Sequence, residues 1–172
     1  MYDPDQFWAA RFRRHGPTYV AKGGRSDAFT TERHTVSNWL QSLPDLGTVL
    51  DYGCGVGRFA DVLARHGEYV GYDIVSDAAA LNPLPTVGEV PAWYDTLACI
   101  MVLQHIGDDD IIRKLGERAR QGAVIVDAQP LDNPDPHMFP RTPDRVAELL
   151  GMEIVKLDDL GEHWAAVLAR SP

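Results

Sequence analysis

Residues 47–67 read GTVLDYGCGVGRFADVLARHG, and this stretch decides the fold. An apolar strand runs directly into three alternating glycines, and the residues after them repeat with helical spacing. Glycine tolerates positive φ and lets a ligand approach the backbone closely. Phe59, Val62 and Leu63 fall on one face of the helix, and Gly67 is expected to end it as a C-terminal cap. The pattern predicts a strand, a tight turn and a helix built around a small ligand.

The spacing of the glycines indicates which ligand that is. Dinucleotide sites use G-x-G-x-x-G, but here the turn reads D-x-G-C-G-x-G, with Arg58 where the third dinucleotide glycine would stand. Asp51 lies two residues before the first glycine, and an acid at a strand end suits a cationic ligand. With this turn the chain resembles the class I methyltransferases that use S-adenosylmethionine. Two other interpretations stay open: a glycine turn for packing or phosphate binding, and Asp51 as a helix cap.

The resemblance assigns a role to each residue of the turn. It implies that Gly53 and Gly55 hold the aminocarboxypropyl part of the cofactor, with the Asp51 carboxylate beneath it. Cys54 and Gly57 belong to the same cofactor-binding turn. Cys54 is also typical of a small buried side chain that fills a core. Because the chain has only two cysteines, neither a disulfide framework nor a metal cluster is expected.

The next strand ends in a second acid. Residues 69–74 read YVGYDI, and the two oxygens of Asp73 can accept hydrogen bonds from both ribose hydroxyls. The resemblance implies that Asp73 binds the ribose of the cofactor and that Ile74 beside it also contacts the cofactor. The family's adenine-binding acid has no clear match here, with Glu89 and Val90 as the candidates. Before the next apolar run there is room only for a short helix and a very short third strand.

A third match to the family lies at residues 93–110, which read WYDTLACIMVLQHIGDDD. An apolar strand from Thr96 to Leu103 is followed by Gln104 and His105, an ending that family members often carry. The resemblance implies that Leu103 and Gln104 contact the cofactor.

Two histidines are candidates for a general base, which methyl transfer to a hydroxyl needs and transfer to an amine does not. His105 stands just beyond the carboxyl end of a central strand, where parallel sheets bind their ligands. Its other interpretation is structural, as a helix cap or a hydrogen-bond partner of a loop. His137 lies in the proline-rich loop PLDNPDPHMFPR, residues 130–141, which is expected to form one wall of a substrate pocket.

The rest of the chain alternates strands and helices, which is typical of an α/β protein. The pattern predicts a single doubly wound domain whose sheet is mostly parallel, shortened in the middle and closed by an antiparallel C-terminal edge hairpin. Gly122 and Gly151 are expected to end helices. The predicted helices are 28–43, 58–66, 108–120 and 143–150, and the predicted strands are 48–52, 69–74, 96–103, 123–128, 152–157 and 163–169.

Residues 1–46 form an N-terminal helical leader before the cofactor-binding core, residues 47–172. Aromatic and basic side chains mix within the leader, and two adjacent glycines at positions 23 and 24 are a candidate hinge. One interpretation is a lid in which Tyr19 and Arg25 contact the cofactor or the substrate. The other is a helix packed on the sheet.

Composition favours one soluble domain. The chain has 172 residues, 45% of them hydrophobic, and no run approaches the roughly 18 apolar residues of a membrane span. A cytoplasmic location and a monomer or homodimer are expected. The formal net charge is −9. A nucleic-acid channel would be basic, so nucleic acid is not the expected main partner.

These observations predict transfer of a methyl group from S-adenosylmethionine to oxygen or nitrogen of a small-molecule acceptor, leaving S-adenosylhomocysteine. A non-catalytic domain that only binds the cofactor, and a methyltransferase of RNA or protein, stay open as alternatives. Metal assistance is not expected, because the three acids at positions 108–110 are explained by the dipole of the helix that they begin.

Overall fold

The computed structural model describes residues 2–18, 26–130 and 134–171. The strands are β1 Gly47–Tyr52, β2 Gly67–Tyr72, β3 Tyr94–Ile100, β4 Ala119–Ala128, β5 Glu153–Asp159 and β6 His163–Ala169. The helices are α1 Pro4–His15, α2 Ser26–Leu40, α3 Ala60–Leu63, α4 Ser76–Ala79, α5 Asp109–Arg118 and α6 Pro143–Leu150. No helix within these described ranges has the length and apolarity to cross a membrane.

All six strands form one sheet in the order β2-β1-β3-β4-β6-β5. Pairing is parallel from β2 to β4 and antiparallel between β4, β6 and β5. This confirms the predicted α/β fold with an antiparallel hairpin at its C-terminal edge. Most residues of β3 and β4 are buried because helices cover both faces of the sheet, whereas the edge strand β5 is largely exposed.

Two apolar layers attach the helices to the sheet. On one face α2 buries Val36 and Leu40 in a cluster with β1 and α3. On the other face α5 and α6 bury Ile112 and Leu150 against β3 and β4. The helical spacing of these residues is what the sequence predicted, and the left-handed Gly151, at φ 65°, ends α6 as expected.

Two other glycines occupy strands instead of ending helices. Gly67 begins β2, and Gly122 lies inside β4. A side chain at Gly67 would collide with the backbone carbonyl of Gly47, and one at Gly122 with that of Leu168. The predictions that these glycines cap helices are therefore wrong. At each position the backbone of a neighbouring strand leaves no room for a side chain. In both cases that strand belongs to a distant part of the sequence.

The middle of the chain is as short as predicted. After β2 it forms only the one-turn α4 and, in place of a third strand, a single parallel bridge between Gly71 and Thr86. The strand β3 ends at Ile100, before the predicted end, because Met101 has a φ of 62° and Leu103–His105 form a 3₁₀ turn.

The leader was expected to be helical, but the bounds of α1 were not predicted. This helix is specified by local signals: Asp3 caps it by accepting a hydrogen bond from the Gln6 backbone N–H, and Pro4 occupies its first position.

Candidate active site

A cavity of about 1820 Å³ opens at the carboxyl ends of the parallel strands. It lies where β1 is flanked by β2 and β3, the point at which the strand order reverses and open α/β sheets bind ligands. The glycine turn after β1, the residues after β2, the turn after β3 and the loop after β4 line the cavity. Trp8 and Arg11 of α1 also line it, so the leader helix is part of the site.

The glycine turn needs glycine for two reasons. Gly53, Gly55 and Gly57 have φ values of 79°, 51° and 79°, which other residues rarely adopt. A side chain at Gly53 would also collide with Val102, and one at Gly57 with Asn82. The predicted turn is therefore present, and its three glycines line the cavity.

Asp73 follows β2 and is held by the glycine turn. Its Oδ2 accepts a hydrogen bond from the Gly55 N–H at 2.8 Å, and its Oδ1 accepts one from the Val75 N–H at 2.7 Å. Burial raises the pKa of Asp73, and the two N–H groups lower it. Each oxygen retains a second lone pair, so this oriented carboxyl can still bind a diol. Ile74 beside it is 43% exposed and offers an apolar surface.

Asp51 is the next-to-last residue of β1 and is 4% exposed. The Tyr69 hydroxyl donates to its Oδ2 at 2.9 Å, and the Asn82 amide donates to the Tyr69 oxygen at 2.8 Å. Burial and, to a smaller extent, the Asp73 charge raise the pKa of Asp51 to about 7, against the hydrogen bond from Tyr69, which lowers it. Asp51 does not cap α3, which has no side-chain cap. A buried carboxyl beside the cavity is instead suited to a cation.

Cys54, between the glycines, is buried, and this burial raises the pKa of its thiol to about 12. The thiol therefore stays protonated near neutral pH and is not a nucleophile. Its burial matches the interpretation of Cys54 as a small side chain that fills space within the glycine turn.

The Gln104 side chain determines how His105 is protonated. Gln104 Oε1 accepts a hydrogen bond from the Ala128 N–H at 3.2 Å, so its amide nitrogen faces His105 Nε2 at 3.3 Å. His105 Nδ1 lies 3.2 Å from the carbonyl oxygen of His137 and must donate to it. The imidazole is therefore neutral with both nitrogens engaged, and burial lowers its pKa to about 4. This geometry agrees with the structural interpretation of His105.

Aromatic rings from α1 close over the two histidines. The ring of His137 stacks on the rings of His105 and Phe7, with distances between ring centroids of 5.5 Å and 4.7 Å. The ring of Trp8 contacts His105 edge-on, with a centroid distance of 4.7 Å. Tyr2 lies 5.8 Å from Phe139 on the same loop. The histidines therefore form one wall of the cavity together with the leader helix.

Arg141 supports this wall from behind. Its guanidinium donates to the carbonyl oxygens of Leu103, Ile106 and Phe139 at 2.7–3.1 Å, and its side chain is 10% exposed. It also pairs with Asp109 at 2.8 Å. One buried cation therefore ties together the turn after β3, the loop after β4 and the start of α5.

Of the remaining residues predicted for the site and described by the structure, only Gln104 lines the cavity. Tyr19 and Arg25 lie outside the described residues. Gln104 lines the cavity, but Leu103 and Val90 do not. The 3₁₀ turn directs Leu103 into the fully buried core, and Val90 packs on that core before β3, toward the opposite end of the sheet. The structure therefore does not bring Leu103 and Val90 to the expected cofactor site.

Sequence reasoning missed Tyr69, although a signal for it exists. Gly71 pairs with Asp51, and Tyr69 lies two residues earlier on the same face of β2. A side chain at Gly71 would approach the Tyr69 hydroxyl to 2.9 Å, so glycine leaves the space in which Tyr69 hydrogen-bonds to Asp51. No local pattern indicates Asn82, which reaches Tyr69 only through the folded segment after α4.

Comparisons with known proteins agree with this site. The model of the methyltransferase domain family matches residues 25–169. Magnesium protoporphyrin IX methyltransferase from Synechocystis PCC 6803 with bound S-adenosylmethionine is 20% identical over 99% of both chains, with a TM-score of 0.63. The PH0226 protein from Pyrococcus horikoshii OT3 is 14% identical over 93% of this chain and 98% of its own, with a TM-score of 0.66.

A third structure, the DhpI-SAM-HEP complex, is 14% identical over 96% of this chain and 95% of its own, with a TM-score of 0.70. No curated protein matches the chain by sequence. The structural similarities show the fold, and the family model covers most of the chain. The chain therefore belongs to the class I methyltransferases, enzymes that use S-adenosylmethionine.

Proposed function

We propose that this enzyme methylates oxygen or nitrogen of a small molecule that binds beneath α1. The observation that carries the proposal is the continuity of the cavity, which extends from the glycine turn to the stacked His105 and His137. Pockets for one drug-sized ligand measure roughly 300–1,000 Å³. The cavity, at about 1820 Å³, has room for the cofactor and an acceptor side by side.

The residues at the glycine turn fit S-adenosylmethionine. Asp73 would accept hydrogen bonds from the ribose hydroxyls, and Ile74 would pack on the adenine ring. Gly53, Gly55 and Asp51 would hold the amino acid end, whose ammonium group is a cation. When bound, the cofactor supplies an electrophilic methyl group. The protein then has to orient the acceptor atom and, for a hydroxyl, remove its proton.

The two histidines have different roles in this proposal. His105 is a weak base whose nitrogens are both engaged, so we assign it to the wall that positions His137. His137 faces the cavity and contacts the aromatic rings of α1, and it is our candidate for removing a proton from a hydroxyl acceptor. An amine acceptor needs no such base.

The leader helix α1 is proposed to act as a lid. Trp8 and Phe12 pack against Val75 and Ala78, beside the glycine turn, while Trp8 also contacts His105 across the cleft. The helix thus contacts both sides of the cavity, and in this proposal it moves when ligands exchange. Amide hydrogen exchange in α1 should slow when S-adenosylhomocysteine binds, while exchange in α5 stays unchanged. Equal exchange in α1 with and without ligand would contradict the lid.

Calorimetry followed by an acceptor screen tests the proposed function. S-adenosylmethionine and S-adenosylhomocysteine should bind, and NAD should not. Small amines, phenols and carboxylic acids are then screened for acceptors that yield S-adenosylhomocysteine. Turnover with a small molecule supports the proposal. Turnover confined to RNA or protein acceptors would overturn the small-molecule assignment and leave the cofactor site intact.

A further inference from the structure

The carboxyl of Asp51 receives a continuous chain of hydrogen bonds. The Leu84 backbone N–H donates to Asn82 Oδ1 at 3.0 Å, the Asn82 amide donates to the Tyr69 hydroxyl at 2.8 Å, and that hydroxyl donates to Asp51 Oδ2 at 2.9 Å. Asp51 is 4% exposed, and a carboxylate so deeply buried is stable only with partners. This Asp51–Tyr69–Asn82 chain supplies them.

The direction of every bond in the chain is determined. A backbone N–H can only donate, so Leu84 fixes the carbonyl end of Asn82 and turns its NH₂ group toward Tyr69. The Tyr69 oxygen accepts that bond, and its single proton then points to Asp51. Because all donors point the same way, each bond polarises the next and favours the charged form of Asp51.

A second acid opposes the charge of Asp51. Asp73 raises the pKa of Asp51, whereas the neighbouring thiols of Cys54 and Cys99 are buried, stay protonated and carry no charge. Burial of Asp51 is itself the largest influence against ionisation. Among the described residues that shift its pKa, Tyr69 is the one that favours the carboxylate.

We propose that Tyr69 and Asn82 are positioning residues that keep the Asp51 carboxylate ionised and aimed at the cationic amino end of the cofactor. The inference rests on the proposed function, which places that end over Asp51. It also gives the shortened segment after α4 a role in binding: Asn82 belongs to this segment and packs against Gly57 of the glycine turn.

The chain predicts a specific coupling between pH and affinity. Below about pH 7 the unliganded protein holds Asp51 protonated, so a cation can pair with it only after the proton leaves. Affinity for S-adenosylhomocysteine, which keeps the ammonium group, should therefore fall by up to about tenfold per pH unit below that midpoint. Tyr69→Phe removes a hydrogen bond to the charged form and should move the midpoint up by about one pH unit. Asn82→Ala should move it the same way by less.

Calorimetric titrations between about pH 5.5 and 8.5 measure this coupling. Two probes are compared: S-adenosylhomocysteine and 5′-methylthioadenosine, which lacks the amino acid end and should bind without this pH dependence. Tyr94→Phe is the matched control, because it removes another buried tyrosine hydroxyl. This hydroxyl donates to the Leu115 carbonyl oxygen at 2.6 Å, and Tyr94 does not line the cavity. The control substitution should lower the melting temperature without moving the midpoint.

The outcomes separate the inference from the proposed function. An upward midpoint shift in Tyr69→Phe, with none in Tyr94→Phe and no pH dependence for 5′-methylthioadenosine, supports the inference. Binding of S-adenosylhomocysteine with an unshifted midpoint in Tyr69→Phe overturns it, as does pH-independent binding to the unaltered protein. Failure of the unaltered protein to bind either probe would overturn the proposed cofactor site itself.

Discussion

His105 and His137 are joined by a hydrogen bond of 3.2 Å between an imidazole nitrogen and a backbone carbonyl, and their rings stack nearly parallel, with an interplanar angle of 12°. The bond connects the turn after β3 to the loop after β4. Because the carbonyl can only accept, it determines which nitrogen of His105 carries the proton. A residue that resembles a catalytic base in the sequence thus connects two loops in the structure.

Replacing His105 should reveal this structural role. His105→Ala leaves the His137 carbonyl and the Gln104 amide without their partner, and we expect the free energy of unfolding to fall by about 2 kcal/mol. His105→Asn retains a donor and should recover part of the loss. Chemical denaturation measures both. Lost turnover in His105→Ala with unchanged stability and cofactor affinity would instead identify His105 as the base.

Asp73 should contribute to affinity for the cofactor and also to folding, because it accepts hydrogen bonds from the Gly55 and Val75 backbone N–H groups. Asp73→Ala removes the charged acceptor for the ribose hydroxyls and should weaken binding of S-adenosylhomocysteine by about 1–3 kcal/mol. Asp77→Ala, which alters an exposed acid of α4 outside the cavity, is the matched control. Calorimetry on both variants decides the matter: equal affinity in folded Asp73→Ala and in the control would refute the ribose role.

Asp127 should make stability depend on pH. It is fully buried, burial raises its pKa to about 7, and within the described residues its Oδ2 has no hydrogen-bond partner. Since this pKa lies above that of the unfolded chain, the folded state binds more protons between about pH 4 and 7, and stability falls as pH rises through this range. Asp127→Asn should remove that loss, so its advantage should grow from near zero at about pH 4 to about 2–4 kcal/mol at about pH 8.

Thermal unfolding at several pH values checks the Asp127 prediction. Asp158→Asn is a control whose effect should change with pH in the opposite direction. Asp158 accepts a hydrogen bond from the Trp39 indole N–H, and this bond lowers the pKa of the surface acid. Its stabilising effect is present at neutral pH and is lost as the solution becomes acidic. If Asp127→Asn follows the same pH profile as the unaltered protein, the buried carboxyl is not a source of the pH dependence.

Arg141 and Arg145 bind the same carboxylate, Asp109, in different environments. Arg141→Ala leaves three carbonyl oxygens without their buried donor and should lower the free energy of unfolding by about 3 kcal/mol. Arg145→Ala removes two solvent-exposed ion pairs, with Asp109 and Glu148, and should have a much smaller effect. Urea denaturation of the two variants gives the comparison, and similar losses would show that Arg141 acts only through its ion pair.

The fold follows from local patterns in the sequence. The apolar runs that become β3 and β4, the helical stripe of α6 and the Gly151 cap are each readable in one segment, because burial and backbone geometry act there on neighbouring residues. The glycine turn and Asp73 are readable for the same reason. The errors at Gly67 and Gly122 arise where a strand far along the chain, rather than a neighbouring turn, requires the glycine.

The sequence by itself determined the order of the strands and of the helices from α2 onward, the glycine turn after β1 and the acids near the ends of β1 and β2. Only the tertiary structure decided what those acids and histidines can do. The protonation of His105 depends on Gln104 and His137, and the ionisation of Asp51 depends on Tyr69 and on its burial. Hydrogen-bond direction and desolvation are properties of groups brought together in space, so no segment of sequence contains them.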